Sequence, residues 1–328
     1  MPAGDLARST VGPMLYFSHP ACLEHDPREQ MPGHPDTPER LVAIEAALAE
    51  RDWLGWERRS APAAGERELE LVHSARHVVS IRELSGSGGG AIDADTFVGP
   101  ASYEAALHAA GGACEMTGAL LGGEDTIGLC AVRPSGHHAE PERATGFCLF
   151  GNVAIAAAMA IADLGLERVM VLDWDVHHGN GSCEAFRHRA DVLVVDIHQH
   201  PLYPGSGAAA DRGSGPGEGY TLNLPVPPGS GEALWLSLLE EQVIPAADSF
   251  APELILVSAG FDAHRRDPLA SCELETGSYA LMATRVRDLA RRLGIPLGVV
   301  LEGGYHIPSL VDSLLATMAA LGAEGSSG

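Results

Sequence analysis

Five short apolar runs in this chain of 328 residues end in the same way, and that shared ending restricts the fold more than any other feature. Residues 126–132, 169–172, 192–195, 254–257 and 297–301 have the apolar, largely β-branched character of strands buried on both faces. Each run gives way abruptly to histidines, acids and glycines. Helical patterns at 103–121, 151–164, 234–248 and 278–293 alternate with the runs. Strand followed by helix, repeated, predicts an α/β fold: a mostly parallel sheet covered by helices on both faces. Ligands in such sheets bind beyond the carboxyl ends of the strands, which is where this chain carries its polar residues. With no internal repeat and no linker, 1–328 reads as a single domain, its ends 1–13 and 317–328 weakly ordered.

The run at 169–172 leads into Asp173-Trp174-Asp175-Val176-His177-His178-Gly179-Asn180-Gly181. On an extended backbone side chains two apart point the same way, so Asp175 and His177 are expected to project together. A carboxylate oxygen and an imidazole nitrogen are two of the three protein ligands that an open catalytic zinc site needs. Asp262, just past the run at 254–257, is the natural third, and this donor set suits Zn2+ or Fe2+. Such a metal lowers the pKa of a water and polarises a carbonyl. The bland alternative is a polar loop with satisfied histidines. Two acids and two histidines within six residues weigh against it.

His137-His138 supply proton chemistry. Adjacent loop histidines face different ways, so each needs its own partner, and Asp173 can fix the tautomer of one. One imidazole can then take a proton from water and pass it to a leaving amine. Tyr305, flanked by Gly303-Gly304, can donate its hydroxyl to an oxyanion. A core aromatic is the plain alternative, and the glycines that leave space around the ring favour the functional one. Ser135 lacks a G-x-S-x-G elbow, which leaves a serine nucleophile as a weak reading.

A formal charge of −23, with every one of the 21 basic residues an arginine, repels phosphate backbones and argues against nucleic acid as a partner. No apolar run reaches membrane-spanning length, so no membrane partner is expected. Six scattered cysteines without a C-x-x-C pair, and no signal-peptide pattern, lead to the expectation of reduced thiols in a cytoplasmic protein. Thr37-Pro38-Glu39 reads as a helix start with Thr37 as its cap, and the following Arg40 as a solvated arginine. Residues 86–90 read as a flexible connection. Residues 91–102, with Asp93, Asp95 and Thr96, read as a solvated loop rather than a substrate rim.

Five segments together resemble the zinc-dependent histone deacetylase family, which also holds bacterial deacetylases and acetylpolyamine amidohydrolases. They are Arg133-Pro134-Ser135-Gly136-His137-His138-Ala139, Gly146-Phe147-Cys148, Leu172 through Gly181, Ala259-Gly260-Phe261-Asp262 and Glu302-Gly303-Gly304-Tyr305. The resemblance runs from about Tyr16 to about Leu315. It implies an arginase/deacetylase-type three-layer α/β fold and zinc on Asp175, His177 and Asp262. It implies His138 as general base and acid, His137 as its electrostatic neighbour, and Tyr305 polarising the acetyl carbonyl. Gly146 and Phe147 would line an acyl-lysine tunnel with Tyr203 on the opposite wall. A structural potassium would use Asp173, Asp175, His177, Asp196 and Ile197. Asn180 resembles the class II branch, Asp196 stands where serine is frequent, and Arg266 stands where glycine is frequent.

Leu269, where a vertebrate polyamine-selective relative carries glutamate, looks more like the peptide-deacetylating members. The expected reaction is therefore hydrolysis of the acetyl amide of Nε-acetyl-lysine, with acetylpolyamines or another small acetylated amine as the alternative substrate. An inactive acyl-lysine-binding module is the competing class, and the intact ligand and tyrosine set argues against it. An arginase-like dinuclear manganese hydrolase would need a second run of bridging acids, which the sequence does not offer. The sequence leaves a homo-oligomer open.

Overall fold

The computed structural model describes residues 14–323. Its strands are β1 (Leu15–Ser18), β2 (Glu57–Ser60), β3 (Gly90–Ala91), β4 (Phe97–Val98), β5 (Ile127–Cys130), β6 (Val169–Asp173), β7 (Val192–Gln199), β8 (Thr221–Val226), β9 (Leu254–Ala259) and β10 (Leu297–Leu301). Eight form one sheet in the order β2-β1-β5-β10-β9-β6-β7-β8, every neighbouring pair parallel. Strands β5, β6, β9 and β10 are buried along their whole length, which is why their sequences are continuous apolar runs rather than alternating ones. Helices Ser102–Leu121 and Asn152–Ala162 pack on each other and over the central strands. Glu39–Ala49, Thr276–Leu293 and Ile307–Gly322 form a second packed group. The α/β architecture expected from the sequence is the one observed.

The order of strand placement builds the site. After β5 the chain moves to β6 and then outward through β7 and β8, and only later do β9 and β10 fill the gap between β5 and β6. The carboxyl ends of β5, β10, β9 and β6 therefore lie side by side, although their residues are far apart in sequence. The tips are level: Leu301 is in register with Ala259, and Asp173 with Ser258.

Several local expectations are corrected. The first long helix begins at Glu39, after Pro38, and no side chain caps it. Pro38 is already helical (φ −55°, ψ −29°), and it is the Thr37 carbonyl that accepts the Arg40 amide at 3.1 Å. Arg40 is not solvated but wholly buried. The supposed connection at 86–90 ends the helix Ala75–Gly86 and enters β3, which pairs with β4 in a small hairpin. Residues 317–322, assigned from sequence to a weakly ordered end, are the last turns of Ile307–Gly322, with Thr317, Met318 and Leu321 buried. Residues 1–13, and 324–328 of the other expected end, lie outside the described residues. No helix among the described residues is long and apolar enough to cross a membrane.

Candidate active site

At the tip of β6 the geometry arises differently from the sequence expectation. The strand stops at Asp173, so the alternation of an extended backbone does not align Asp175 with His177. Two successive turns do: Asp173 Oδ1 accepts the Asp175 amide at 3.0 Å, and Asp175 Oδ1 accepts the His177 amide at 2.9 Å. From the tip of β9, Asp262 reaches the same place, with Oδ1 accepting the Val176 amide at 2.9 Å. His177 Nδ1 then lies 3.1 Å from both Asp175 Oδ1 and Asp262 Oδ2. All three residues are buried, and their donor atoms fall within 4.8 Å of one another.

Two buried carboxylates facing one imidazole call for a cation. Burial opposes a charge on His177, yet Asp175 and Asp262 push it up to about 10. A divalent ion answers the same field and uses the imidazole lone pair, so this donor set fits a metal. Gly303 leaves the room. Its amide donates to Asp175 Oδ2 at 2.8 Å, whereas an added Cβ would overlap Asp262 Oδ2 and stand 2.6 Å from Asp175 Oδ2. Gly303→Ala is expected to weaken metal binding by about 100-fold, read by metal titration of the stripped protein.

The two histidines after β5 are driven apart electrostatically. The Gly136 and His137 amides donate to Glu302 Oε2 at 2.7 and 3.2 Å, which fixes this loop to the tip of β10. His137 Nδ1 lies 3.0 Å from Asp173 Oδ2. Burial opposes its charge, but Asp175 and Asp173 hold it well above the ordinary imidazole value. His138 goes the other way, pushed well below that value by burial and then by His137 and His177. Two groups set apart like this have separate jobs.

Asn180 fixes the His138 tautomer. Its Nδ2 donates to Glu140 Oε1 at 2.7 Å, so its Oδ1, 2.7 Å from His138 Nδ1, must accept. His138 therefore carries its proton on Nδ1 and presents Nε2 as a lone pair.

These residues open onto a cavity of about 190 Å³. His138 and His177 line it together with Tyr305, Gly146 and Phe147, and Tyr203, Leu202, Leu269 and Asp95 complete its wall. Gly146 (φ 58°) and Phe147 (φ 68°) are both left-handed, and for Phe147 this is a strained backbone costing roughly 1–3 kcal/mol. In this conformation the Phe147 ring lies edge-on to Tyr305, with centroids 5.8 Å apart. Tyr203 stands edge-on to His138 at 5.1 Å, its hydroxyl 2.7 Å from Thr145 Oγ1. Burial holds the Tyr305 hydroxyl well above the usual phenol range, with Arg40 acting against it. A larger hollow of about 460 Å³ near Arg168, Tyr220 and Phe250 borders none of the metal-capable clusters.

The family model described as the histone deacetylase domain matches residues 34–321. The chain belongs to the histone deacetylase family. It is 42% identical over 279 residues to a histone deacetylase-like amidohydrolase of Pseudomonas aeruginosa, covering 83% of this chain and 73% of that protein. It is 38% identical over 333 residues to Histone deacetylase 10, chloroplastic, of Oryza sativa subsp. japonica, covering 95% of this chain and 74% of that one. The crystal structure of the HDA15 HD domain superposes with a TM-score of 0.91 at 35% identity, covering 95% and 88% of the two chains. The fold is thus the arginase/deacetylase type, and membership places the chain among hydrolases of the deacetylase kind.

Seen as a histone deacetylase family member, the chain has polar parts that the sequence reading missed. Asp36 is buried between two buried arginines: Arg40 Nη1 donates to its Oδ1 at 2.9 Å, and Arg133 grips both oxygens at 2.7 and 2.9 Å. Arg40 continues to the Gly304 carbonyl at 2.7 Å, and its guanidinium lies 5.0 Å from the Tyr305 ring centre. Asp267 Oδ2 takes the Tyr305 amide at 2.7 Å, while its other oxygen takes the Leu269 amide at 3.0 Å. The segment 91–102 is no solvated loop, since Asp95 borders the cavity and Asp93 Oδ2 accepts from Thr145. Asp173 and Asp196 are register partners across β6 and β7, with Ile197 next along the strand.

Proposed function

We propose that the chain hydrolyses the acetyl amide of Nε-acetyl-lysine in peptides, with zinc held by Asp175, His177 and Asp262. The observation that carries this reading is that His177, which joins Asp175 and Asp262 in the donor triad, meets His138 and Tyr305 on the wall of one cavity. The acyl-lysine stem would lie between Phe147 and Tyr203, whose half-buried aromatic rings suit an aliphatic chain. Zinc, when bound, supplies Lewis-acid polarisation of the carbonyl and raises the acidity of a water.

Within this scheme, His138 Nε2 accepts the proton of the attacking water and later delivers it to the departing amine. Beside it, His137 stays cationic through Asp173 and Asp175, which keeps His138 neutral until that transfer. Tyr305 keeps its hydroxyl proton and donates it as a hydrogen bond to the carbonyl oxygen as that oxygen gains charge. Asp173, Asp175, His177, Asp196 and Ile197 are assigned to a structural potassium. Burial raises Asp173 well above the usual carboxylate range against the pull of His137, and the neighbouring Asp196 carboxylate adds to the rise, which favours a cation there.

Leu269 at the mouth favours a peptide over a polyamine. Asp95 on the same wall favours the second reading, a cationic acetylated amine. Comparing kcat/KM of the zinc-loaded protein on acetyl-lysine peptides and acetylspermidine separates the two. Peptide turnover blocked by a hydroxamate chelator is the expected result, and turnover of the amine alone would reject the peptide reading. The partner is an acetylated peptide or small amine, with no nucleic acid or membrane. The cytoplasm is the assigned location: all six cysteines are free and buried, although the rice relative is named chloroplastic.

The His138 environment gives a pH prediction. Because its folded value is depressed, the neutral base form survives below the ordinary imidazole range, and kcat/KM falls only on further acidification. Asn180→Asp would place a carboxylate 2.7 Å from Nδ1 and raise that value. The acidic limb of the kcat/KM profile is then expected to move up by about 1–2 pH units.

A further inference from the structure

A second set of buried donors lies on the β7 side of the candidate site. His178 turns away from its neighbour His177, Cys183 sits in the short helix Asn180–Phe186, and Asp196 lies within β7. Their donor atoms fall within 4.8 Å of one another, and Cys183 Sγ is 3.3 Å from His178 Nε2. All three side chains are buried.

Each candidate ligand except the thiol is steadied from behind. His178 Nδ1 lies 2.8 Å from Ser206 Oγ, and with the ring proton given to that hydroxyl Nε2 can offer a lone pair towards the sulfur. Asp196 is held by His198 Nδ1 at 2.6 Å and by the Gly179 amide at 2.7 Å. His198 itself is fixed, its Nε2 lying 3.0 Å from the Gly207 carbonyl. Hydrogen bonds of this kind are what orient metal ligands in known sites.

One sulfur, one imidazole nitrogen and one carboxylate oxygen make a donor set for a borderline-soft divalent ion. Potassium has no use for a thiol, and a zinc ion here would take the Asp196 carboxylate, leaving Asp173, Asp175, His177 and Ile197 to the potassium shell assigned above. We infer that His178, Cys183 and Asp196 form a structural zinc site of their own, separate from Asp175, His177 and Asp262. Binding replaces the S–H bond of Cys183 with a sulfur–zinc bond and releases one proton to solvent. Asn223 Oδ1, 3.9 Å from Cys183 Sγ, is available as a fourth donor.

The test uses the full chain, stripped of metal, reloaded and dialysed. Wild type is expected to retain about two zinc equivalents per chain, and Cys183→Ser and Asp262→Asn about one each. Loading with cobalt adds a readout that the Asp-His-Asp triad cannot produce, because only a sulfur ligand gives a thiolate-to-cobalt band in the near ultraviolet. That band is expected in wild type and in Asp262→Asn, and is expected to vanish in Cys183→Ser. It must also survive Cys148→Ser, since Cys148 belongs to a different donor group with His137 and Glu302. Retention of only one zinc by wild type overturns the inference, as does a band that persists without Cys183 or disappears without Cys148. Should Cys183→Ser fail to fold, the absence of a thiolate band in cobalt-loaded wild type overturns it equally. Loss of the band in wild type would leave the deacetylase reading untouched, because no sulfur takes part there.

Discussion

His138→Ala is expected to lower kcat on an acetyl-lysine peptide by roughly 10²–10⁴-fold while zinc content stays at the wild-type level. The imidazole lies outside the donor triad, so its loss leaves Asp175, His177 and Asp262 in place. It removes the one neutral nitrogen that faces the cavity with its tautomer fixed by Asn180. Tyr305→Phe provides a companion measurement. It keeps the ring against Phe147 and Arg40 and removes only the hydroxyl, and a loss of about 10²–10³-fold in kcat is expected for one oxyanion donor. An active His138→Ala enzyme would reject the base assignment. A fully active Tyr305→Phe enzyme would reject the oxyanion assignment without touching the first.

The largest loss of stability should come from a residue that need never touch substrate. Asp36→Ala leaves Arg40 and Arg133, both fully buried, without the one carboxylate that both of them pair with. Uncompensated buried charge costs about 3–5 kcal/mol, which for a domain of this size corresponds to a fall in Tm of about 4–7 °C. Thermal unfolding of the purified variant checks it, and a shift of a degree or two would mean that water or backbone carbonyls had replaced the carboxylate. The pH dependence follows the same ion pairs. Burial acts to raise Asp36, but Arg133 and Arg40 outweigh it and hold the group well below the usual carboxylate range. Its contribution is therefore complete above the unfolded value of about 4 and declines as pH falls below that towards the folded value.

The contrast between Asp36 and Asp175 explains what could be read from sequence. Asp175, His177 and Asp262 stood out because each follows an apolar run that can only be a buried strand, so a polar side chain at its tip has one place to go. Even there the cause differed. Hydrogen-bonded turns, not strand alternation, align Asp175 with His177. Asp36 and Arg40 lie at the start of a helix, four residues apart, a spacing that looks the same whether the pair is solvated or buried. Only the partners far along the chain, Arg133 and the Gly304 carbonyl, decide between the two. Asp95 failed for a related reason: a loop acid becomes part of a cavity wall only through residues that the loop meets in space, here the hairpin with β4 and the Thr145 hydroxyl beside Asp93. Residues 317–322 were misjudged because small residues and glycines near a terminus look like a frayed end until a neighbouring helix covers them.

The late insertion of β9 and β10 between β5 and β6 has a consequence for biogenesis. While a ribosome is still extending the chain, the two outer banks of the catalytic groove can exist, but the middle, with Asp262, Gly303 and Tyr305, has not yet been synthesised. The nascent chain therefore cannot bring Asp175, His177 and Asp262 together before the final strands slot home. Hydrolytic competence arrives together with closure of the sheet.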